Sequence, residues 1–256
     1  VGNCASSFLQ GLEYYKHVDE TSPAVPGLMH NNFGGYLIRD VEVIAAFDVN
    51  GDKIGKDISE AIWPSPTNSR KFAEVPHKGV AVNAGFLGDG IAPHMQDYFP
   101  LREAPERVVE VLKASGADML VSFLPVGSQK ATRFYAQVCL DAGIAFINGI
   151  PEFIASDPEW AEKFRQAGIP CAGDDIQSQV GATILHRALV GLVRERGQVI
   201  ENSYQLDIGG NMDFDNLTDR RLASKKISKT DPVIFEAGTK DVRVVPADYI
   251  SFLADN

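Results

Sequence analysis

The sequence predicts an α/β fold in which helices cover both faces of a parallel sheet, followed by a smaller α+β region. Short hydrophobic strand segments alternate with segments of helical periodicity through about the first 196 residues. Beyond them, residues 200–210 alternate like a strand with one exposed face. The 256 residues are 45% hydrophobic and 23% charged, which suits a globular protein with a substantial core.

The chain opens with a Gly-Asn turn that runs directly into an amphipathic helix. Gly2 and Asn3 precede helical apolar spacing over residues 8–15. A glycine turn that opens a helix is typical of the phosphate-binding corner of a Rossmann fold, where it follows a strand. We therefore expect that a first strand is missing at this end.

A second feature of a dinucleotide site lies at the end of the next predicted strand. Residues 41–48 (VEVIAAFD) form a hydrophobic run that ends in Asp48. In dinucleotide-binding folds, a carboxylate at this place bonds the ribose hydroxyls. Together with the glycine turn, it indicates a candidate cofactor site.

The following elements extend the alternation. Helices are predicted at 53–63, 105–115, 128–142, 158–167 and 178–196, and strands at 118–124, 144–148 and 169–173. In a parallel sheet, ligands collect at the carboxyl ends of the strands. The polar residues expected there are Asp48, Ser122, Ser128, Asn148, Asp174 and Asp175.

The pattern changes near Arg196 and Gly197, which we take as a domain boundary. Residues 1–196 are predicted to form an NAD-binding Rossmann-like domain without its first strand. Residues 197–256, with a further strand at 241–245, are predicted to begin an α+β catalytic and oligomerisation domain. This second part is too short to close a core alone, so we expect it to be incomplete or completed by another subunit.

One segment is strongly basic in an acidic chain. Five Lys and Arg residues fall within 220–229 without a carboxylate, whereas the chain carries a net charge of −10. On a helix, Lys225 and Lys229 lie one turn apart, where like charges repel unless an anion lies between them. A sugar phosphate would be such an anion. The alternative is a solvated basic face.

Composition excludes other classes. The acidic charge balance argues against a nucleic-acid or membrane-surface protein, and no apolar run is long enough to span a bilayer. The five histidines show no metal-ligand spacing. The three cysteines are scattered, so we interpret them as small buried residues of a protein in a reducing compartment, the cytoplasm.

Eight short blocks run in order along nearly the whole chain. They are 1–7 (VGNCASS), 10–15 (QGLEYY), 25–30 (VPGLMH), 45–49 (AAFDV), 124–128 (LPVGS), 173–183 (GDDIQSQVGAT), 209–213 (GGNMD) and 224–230 (SKKISKT). As a set they resemble the myo-inositol-1-phosphate synthase family, in particular its bacterial and archaeal form.

The resemblance implies conversion of D-glucose 6-phosphate to 1D-myo-inositol 3-phosphate, the first step of inositol and inositol phospholipid biosynthesis. Bound NAD would oxidise the C5 hydroxyl, an intramolecular aldol reaction would close the ring, and the hydride would return. A homotetramer is implied, and a mono- or divalent cation near the phosphate remains open. The chain lacks the family's first strand and long C-terminal part, and has Gln177 where lysine is frequent. We therefore expect little activity from these residues alone.

The resemblance also assigns catalytic residues. Lys225 would stabilise oxygen charge or move a proton at C5, and Lys229 would bind the phosphate or assist at C6. Asn211 and Asp213 would contact sugar hydroxyls or orient the lysines. The alternative for these two residues is a strand-to-helix cap.

The cofactor contacts that it assigns come from many segments. They are Gly2, Asn3, Cys4, Ala5, Asp48, Asp57, Ser122, Pro125, Tyr135, Asn148, Asp175 and Ser178. Gly2 to Ala5 would meet the pyrophosphate through backbone N–H groups. Asp175 and Ser178 have helix capping as an alternative, Asp57 an exposed helix charge, and Tyr135 a place in the core.

Two other functions are weighed against the synthase. An ordinary NAD-dependent polyol or hydroxy-acid dehydrogenase would share the cofactor domain and use a lysine as base, but needs fewer cations than the basic segment supplies. A non-catalytic nucleotide-binding remnant is the second alternative.

Overall fold

The computed structural model describes residues 1–176, 178, 180–210, 212–218 and 223–250, without the side chains of residues 223–228 and 245–249. The chain folds into two compact units. The first consists of Val1–Phe86 and Tyr98–Ala117, and the second of Leu87–Asp97 and Asp118–Asn256. The domain boundary between residues 196 and 197 remains a prediction.

The first unit contains three α-helices and four short strands among its described residues. In chain order they are α1 (Asn3–Tyr15), β1 (Asn32–Phe33), β2 (Tyr36–Leu37), β3 (Ala46–Asp48), α2 (Ile58–Ala61), β4 (Val82–Ala84) and α3 (Pro105–Ser115). Strands β1 and β2 pair antiparallel, whereas β3 and β4 pair parallel with Asp48 opposite Ala84. Its core combines α1, α2 and this parallel pair through Leu9, Ala46, Ile58, Ala61, Ile62 and Val82.

The helix predicted at 53–63 is mostly wrong. Only Ile58–Ala61 is α-helical, because Gly55 adopts a left-handed conformation with φ of 87° and Asp57 caps a new helix start. The strand predicted at 41–48 shortens to β3. Strand β4 was not predicted, since its three residues are too few to show a period.

The second unit holds the longer elements. They are β5 (Met119–Ser122), α4 (Gln129–Ala142), β6 (Ala145–Asn148), α5 (Pro158–Ala167), β7 (Cys171–Ala172), α6 (Ala182–Glu195), β8 (Ser203–Gly209), α7 (Met212–Leu217), α8 (Ala223–Ala237) and β9 (Val242–Tyr249). Strands β5, β6 and β7 form a parallel sheet in that order. Parallel strands joined by helices confirm the predicted mixed α/β architecture.

Strands β8 and β9 form a separate parallel pair, connected through α7 and α8. Helices α6 and α8 pack on this pair through Val190, Val233, Ala237, Val242 and Val244. The outer residues of β8 are nevertheless apolar and exposed, with Tyr204 at 63% and Ile208 at 48% of their full accessibility. The strand therefore turns its polar side inward.

The cysteine interpretation is only partly correct. Cys139 is buried and Cys171 partly buried, but Cys4 is exposed on α1. Burial raises the pKa of Cys139 to about 12 and that of Cys171 to about 11, so neither thiol ionises readily. None of the described helices has the length and apolarity that a membrane span requires.

Candidate functional site

The start of α1 leaves its backbone approachable at Gly2. A Cβ added to Gly2 would meet no atom within 4 Å. The Asn3 side chain is used within the fold, since its Nδ2 donates to Asn68 Oδ1 at 2.7 Å and its Oδ1 accepts from the backbone N–H groups of Asn68 and Ser69. A ligand at this helix end would therefore meet backbone groups rather than the Asn3 amide.

Asp48 lies beside this helix start. Its Oδ1 accepts from the backbone N–H groups of Val49 and Asn50 at 2.7 and 2.8 Å, and its Oδ2 lies 3.0 Å from the Val1 nitrogen. The two features from which the sequence predicted a nucleotide corner, the glycine turn and the strand-end carboxylate, thus lie together in the first unit.

Lys53 contributes to the same corner and was not predicted as a site residue, since the sequence pattern placed it only within the helix predicted at 53–63. It is buried, and its Nζ donates to the Val1 carbonyl and to Thr67 Oγ1, both at 2.7 Å. Burial lowers the pKa of Lys53, and the Asp48 carboxylate opposes that shift in part. The spacing of hydrophobic residues in the sequence does not indicate that this lysine is buried.

Asp57 caps α2 and joins it to a distant segment. Its carboxylate accepts from Ser59 N–H and O–H and from the backbone N–H groups of Lys78 and Val80. Burial alone would raise the pKa of Asp57, but these donors outweigh it and hold the pKa well below its usual range. Asp57 is not an exposed helix charge, and a contact with the cofactor stays a prediction.

The carboxyl ends of β5 and β6 present Ser122 and Asn148 as register partners. Asn148 Nδ2 donates to Glu152 O and to Asp174 Oδ1, at 2.5 and 2.8 Å. Ser122 is 5% exposed, and its hydroxyl has no hydrogen-bond partner among the described residues. A buried hydroxyl without a partner is costly, so it is a candidate ligand contact.

Asp174 and Asp175 follow β7. The Asp174 carboxylate accepts from the backbone N–H groups of Ile154, Ala155 and Ser156 at 2.9 to 3.2 Å, which shows that it organises this loop. Asp175 is half-buried and has a positive φ of 75°.

Capping of the long helix by Asp175 or Ser178 is wrong. Helix α6 begins at Ala182, and its N-cap is Gly181, which is extended and forms no side-chain capping bond. Ser178 lies three residues before this cap and is exposed. Gln177, where the family often has lysine, lies outside the described residues.

The turn before α4 contains Pro125, which is exposed, and Ser128, whose hydroxyl donates to Pro125 O at 2.5 Å. Asp89 accepts from the backbone N–H groups of Lys130 and Ala131 at 2.9 and 3.1 Å, so a carboxylate occupies the N-terminus of α4. No local sequence pattern indicates this long-range contact. Tyr135 is buried on α4, as its core alternative predicted.

The basic segment lies on α8 from Ala223 onwards. Both Lys225 and Lys229 belong to this helix, four residues apart, although the Lys225 side chain lies outside the described residues. The Lys229 side chain is 18% exposed and forms an ion pair with Asp207 of β8, which is 7% exposed. Lys229 is therefore a partly buried cation with a fixed partner rather than a freely solvated charge.

Asp213 lies in the first turn of α7, and Asn211 lies outside the described residues. An acidic residue in a first turn favours the helix dipole, so a structural role for Asp213 remains open. Next to it, Asp215 Oδ1 lies 3.3 Å from His94 Nε2, and Asn216 Nδ2 donates to Val126 O. The first contact attaches α7 to the segment around His94, and the second attaches it to the turn before α4.

Across the part of the chain that the structure describes, no three His, Cys, Asp or Glu side chains lie close enough together to hold a metal ion. A cation is therefore not assigned to any residue.

The chain matches known proteins along its whole length. A sequence model of the family Myo-inositol-1-phosphate synthase matches residues 181–256. The inositol-3-phosphate synthase of Mycobacterium tuberculosis (strain CDC 1551 / Oshkosh) is 52% identical over 261 residues, which cover 100% of this chain and 71% of that protein. The protein of the same name from Corynebacterium glutamicum is 48% identical and matched over 73% of its length.

A solved structure agrees in fold. The crystal structure of Ari2 superposes with a TM-score of 0.78 at 36% sequence identity, covering 98% of this chain and 70% of that one. Identity near one half across all 256 residues leaves no segment that the relatives do not share. The chain belongs to the myo-inositol-1-phosphate synthase family.

Proposed function

We propose that this protein is an inositol-3-phosphate synthase, an isomerase that converts D-glucose 6-phosphate to 1D-myo-inositol 3-phosphate. The observation that carries the proposal is the identity of about one half, over the whole chain, to relatives that bear this name. The dehydrogenase alternative is not favoured, because the named relatives are synthases. The substrate is a phosphorylated sugar, which supports a cytoplasmic location.

Residues of each unit, taken separately, fit NAD as the cofactor. The open backbone at Gly2 suits a pyrophosphate, and the buried Ser122 hydroxyl suits a ligand that supplies its missing hydrogen bond. The proposed contacts are Gly2, Asn3, Cys4, Ala5, Asp48, Asp57, Ser122, Pro125, Tyr135, Asn148, Asp175 and Ser178. When bound, NAD supplies reversible hydride transfer at C5 of the sugar.

The protein's own groups would handle charge and protons. Lys229 would hold the phosphate or assist at C6, since an ammonium group with three N–H donors can contact a carboxylate and a second anion together. Lys225, on the same helix, would stabilise the oxygen charge at C5 or move a proton there. Asp213 and Asn211 would bond sugar hydroxyls or orient the lysines.

We also propose that the protein is a homotetramer in which the outer face of β8 is covered by another subunit. Tyr204, Leu206 and Ile208 alternate along this face, each more than two-fifths exposed. Three large apolar side chains in a row on an open strand form a patch of the kind that subunit interfaces cover.

The test is turnover of glucose 6-phosphate by the full-length protein with NAD, with deuterium at C5 of the sugar. We expect inositol phosphate that retains the deuterium, without net accumulation of NADH. Stoichiometric NADH would identify a dehydrogenase, and NAD binding without turnover would identify a non-catalytic protein.

A further inference from the structure

The inner face of β8 carries a row of polar side chains where a strand normally buries apolar ones. Ser203, Gln205 and Asp207 alternate along the strand and are buried or half-buried, whereas the residues between them are exposed. Burying polar groups is unfavourable unless they are hydrogen-bonded to one another. Their arrangement is therefore expected to serve a purpose other than filling the core.

The row is connected into one chain of hydrogen bonds through His186 of α6. His186 Nε2 lies 2.5 Å from Ser203 Oγ, and His186 Nδ1 lies 2.8 Å from Gln205 Oε1. Gln205 Nε2 in turn donates to Asp207 Oδ1 at 2.9 Å. The last member, Asp207, forms the ion pair with Lys229 through Oδ2.

The direction of these bonds is fixed by the chemistry of the glutamine amide. Because Gln205 Nε2 donates to Asp207, its Oε1 faces His186 and can only accept, so His186 Nδ1 carries a hydrogen. Each group is then oriented by its neighbour. The two carboxylate oxygens of Asp207 have separate donors, Gln205 and Lys229, which prevents the carboxylate from rotating.

We propose that Asp207 is a positioning residue for Lys229, and that Gln205 and His186 hold its carboxylate in the required orientation. The inference rests on the proposed function, in which Lys229 acts on the phosphorylated sugar. A lysine side chain has four rotatable bonds, and only a fixed partner gives its ammonium group one position. A mostly buried carboxylate supplies that partner.

The experiment measures kcat/KM for glucose 6-phosphate in the full-length protein, using a double-mutant cycle. Asp207→Asn keeps the size of the side chain but removes the charge that orients Lys229. We expect a loss of about 30-fold in kcat/KM in the wild-type background, a size usual for directly coupled residues. In a Lys229→Arg background, which keeps the positive charge but replaces the ammonium group, the same change should cost less than about 3-fold, because the group that Asp207 orients is no longer there.

Asp241→Asn is the matched control. Asp241 lies just before β9, its side chain is 59% exposed, and among the described residues its ion-pair partner is Arg243 at 4.0 Å. We expect kcat/KM of this variant within about 2-fold of wild type, since surface substitutions usually have small effects. NAD affinity should be unchanged in both aspartate variants.

Equal losses from Asp207→Asn in both backgrounds, or no loss in the wild-type background, would overturn the positioning role. If Asp207→Asn does not fold, Gln205→Met replaces it, since it leaves the ion pair between Asp207 and Lys229 but removes the bond that orients the carboxylate, together with the bond to His186. For Gln205→Met, a loss of kcat/KM below about 30-fold that disappears in the Lys229→Arg background supports the proposal. An unchanged kcat/KM of Gln205→Met refutes it. A wild-type protein that makes no inositol phosphate would instead refute the proposed function.

Discussion

Replacing Ser122 by alanine should raise the stability of the ligand-free protein and weaken its binding of NAD. The hydroxyl is buried at the end of β5 and has no hydrogen-bond partner among the described residues. Mutational data put the cost of such a group at about 1–3 kcal/mol. Alanine fills nearly the same space, so the free energy of unfolding should rise by about 1 kcal/mol.

Ser122→Ala should weaken the binding of NAD, although it stabilises the ligand-free protein. If the hydroxyl bonds the cofactor, its removal forfeits a net hydrogen bond of about 0.5–1.5 kcal/mol, which weakens the affinity about 2- to 12-fold. Urea unfolding measured without NAD gives the stability, and calorimetric titration with NAD gives the dissociation constant.

Ser128→Ala is the matched control for stability. Ser128 is also fully buried, but its hydroxyl donates to Pro125 O. The same substitution should therefore lower the free energy of unfolding by about 1 kcal/mol. Destabilisation by Ser122→Ala as well would show that its hydroxyl is bonded in the ligand-free protein. A stability gain with unchanged NAD affinity would remove Ser122 from the cofactor site.

Asp57→Asn should lower the free energy of unfolding by about 2–3 kcal/mol, because it removes charge-assisted hydrogen bonds. Since folding depresses the pKa of Asp57, this difference from wild type should be present near neutral pH and shrink below about pH 4. Urea unfolding at several pH values measures it. Leu206→Asp should dissociate the oligomer, as sedimentation would record, and an unchanged mass would exclude the β8 face as an interface. Lys225→Ala should abolish cyclisation with the NAD dissociation constant within about 2-fold of wild type; a collapse of NAD binding would contradict its placement at the sugar.

Elements with local boundary residues could be predicted from the sequence. Helix α5 has the predicted bounds because Asp157 caps its start, Pro158 suits its first position and Gly168 ends it in a left-handed conformation. Helix α6 was predicted four residues too early, since nothing in its apolar period shows that Gly181 stays extended. The start of helix α2 was predicted wrongly for a related reason, because Asp57 caps the helix and places its first residue at Ile58.

For the candidate site too, residues marked by a local sequence pattern could be predicted and residues that depend on distant partners could not. The proximity of Gly2 and Asp48 could be expected from the sequence, because each residue lies at a recognisable element end, whereas their contact with a nucleotide remains a prediction. Asp207, Asp89 and Lys53 could not be expected, since their roles depend on partners 14 to 52 positions away that no local pattern identifies. Such contacts become visible only when the chain is folded.

The two-sided strand β8 has a consequence for inhibitors. Its successive residues serve opposite sides, so a compound bound at Tyr204, on the proposed subunit interface, would press on the backbone that carries Gln205. A shift of that backbone would reach Lys229 through Asp207 without any contact between the compound and Lys229. Small molecules that bind this outer face should then act as noncompetitive inhibitors, and resistance changes would cluster at alternate positions of one strand.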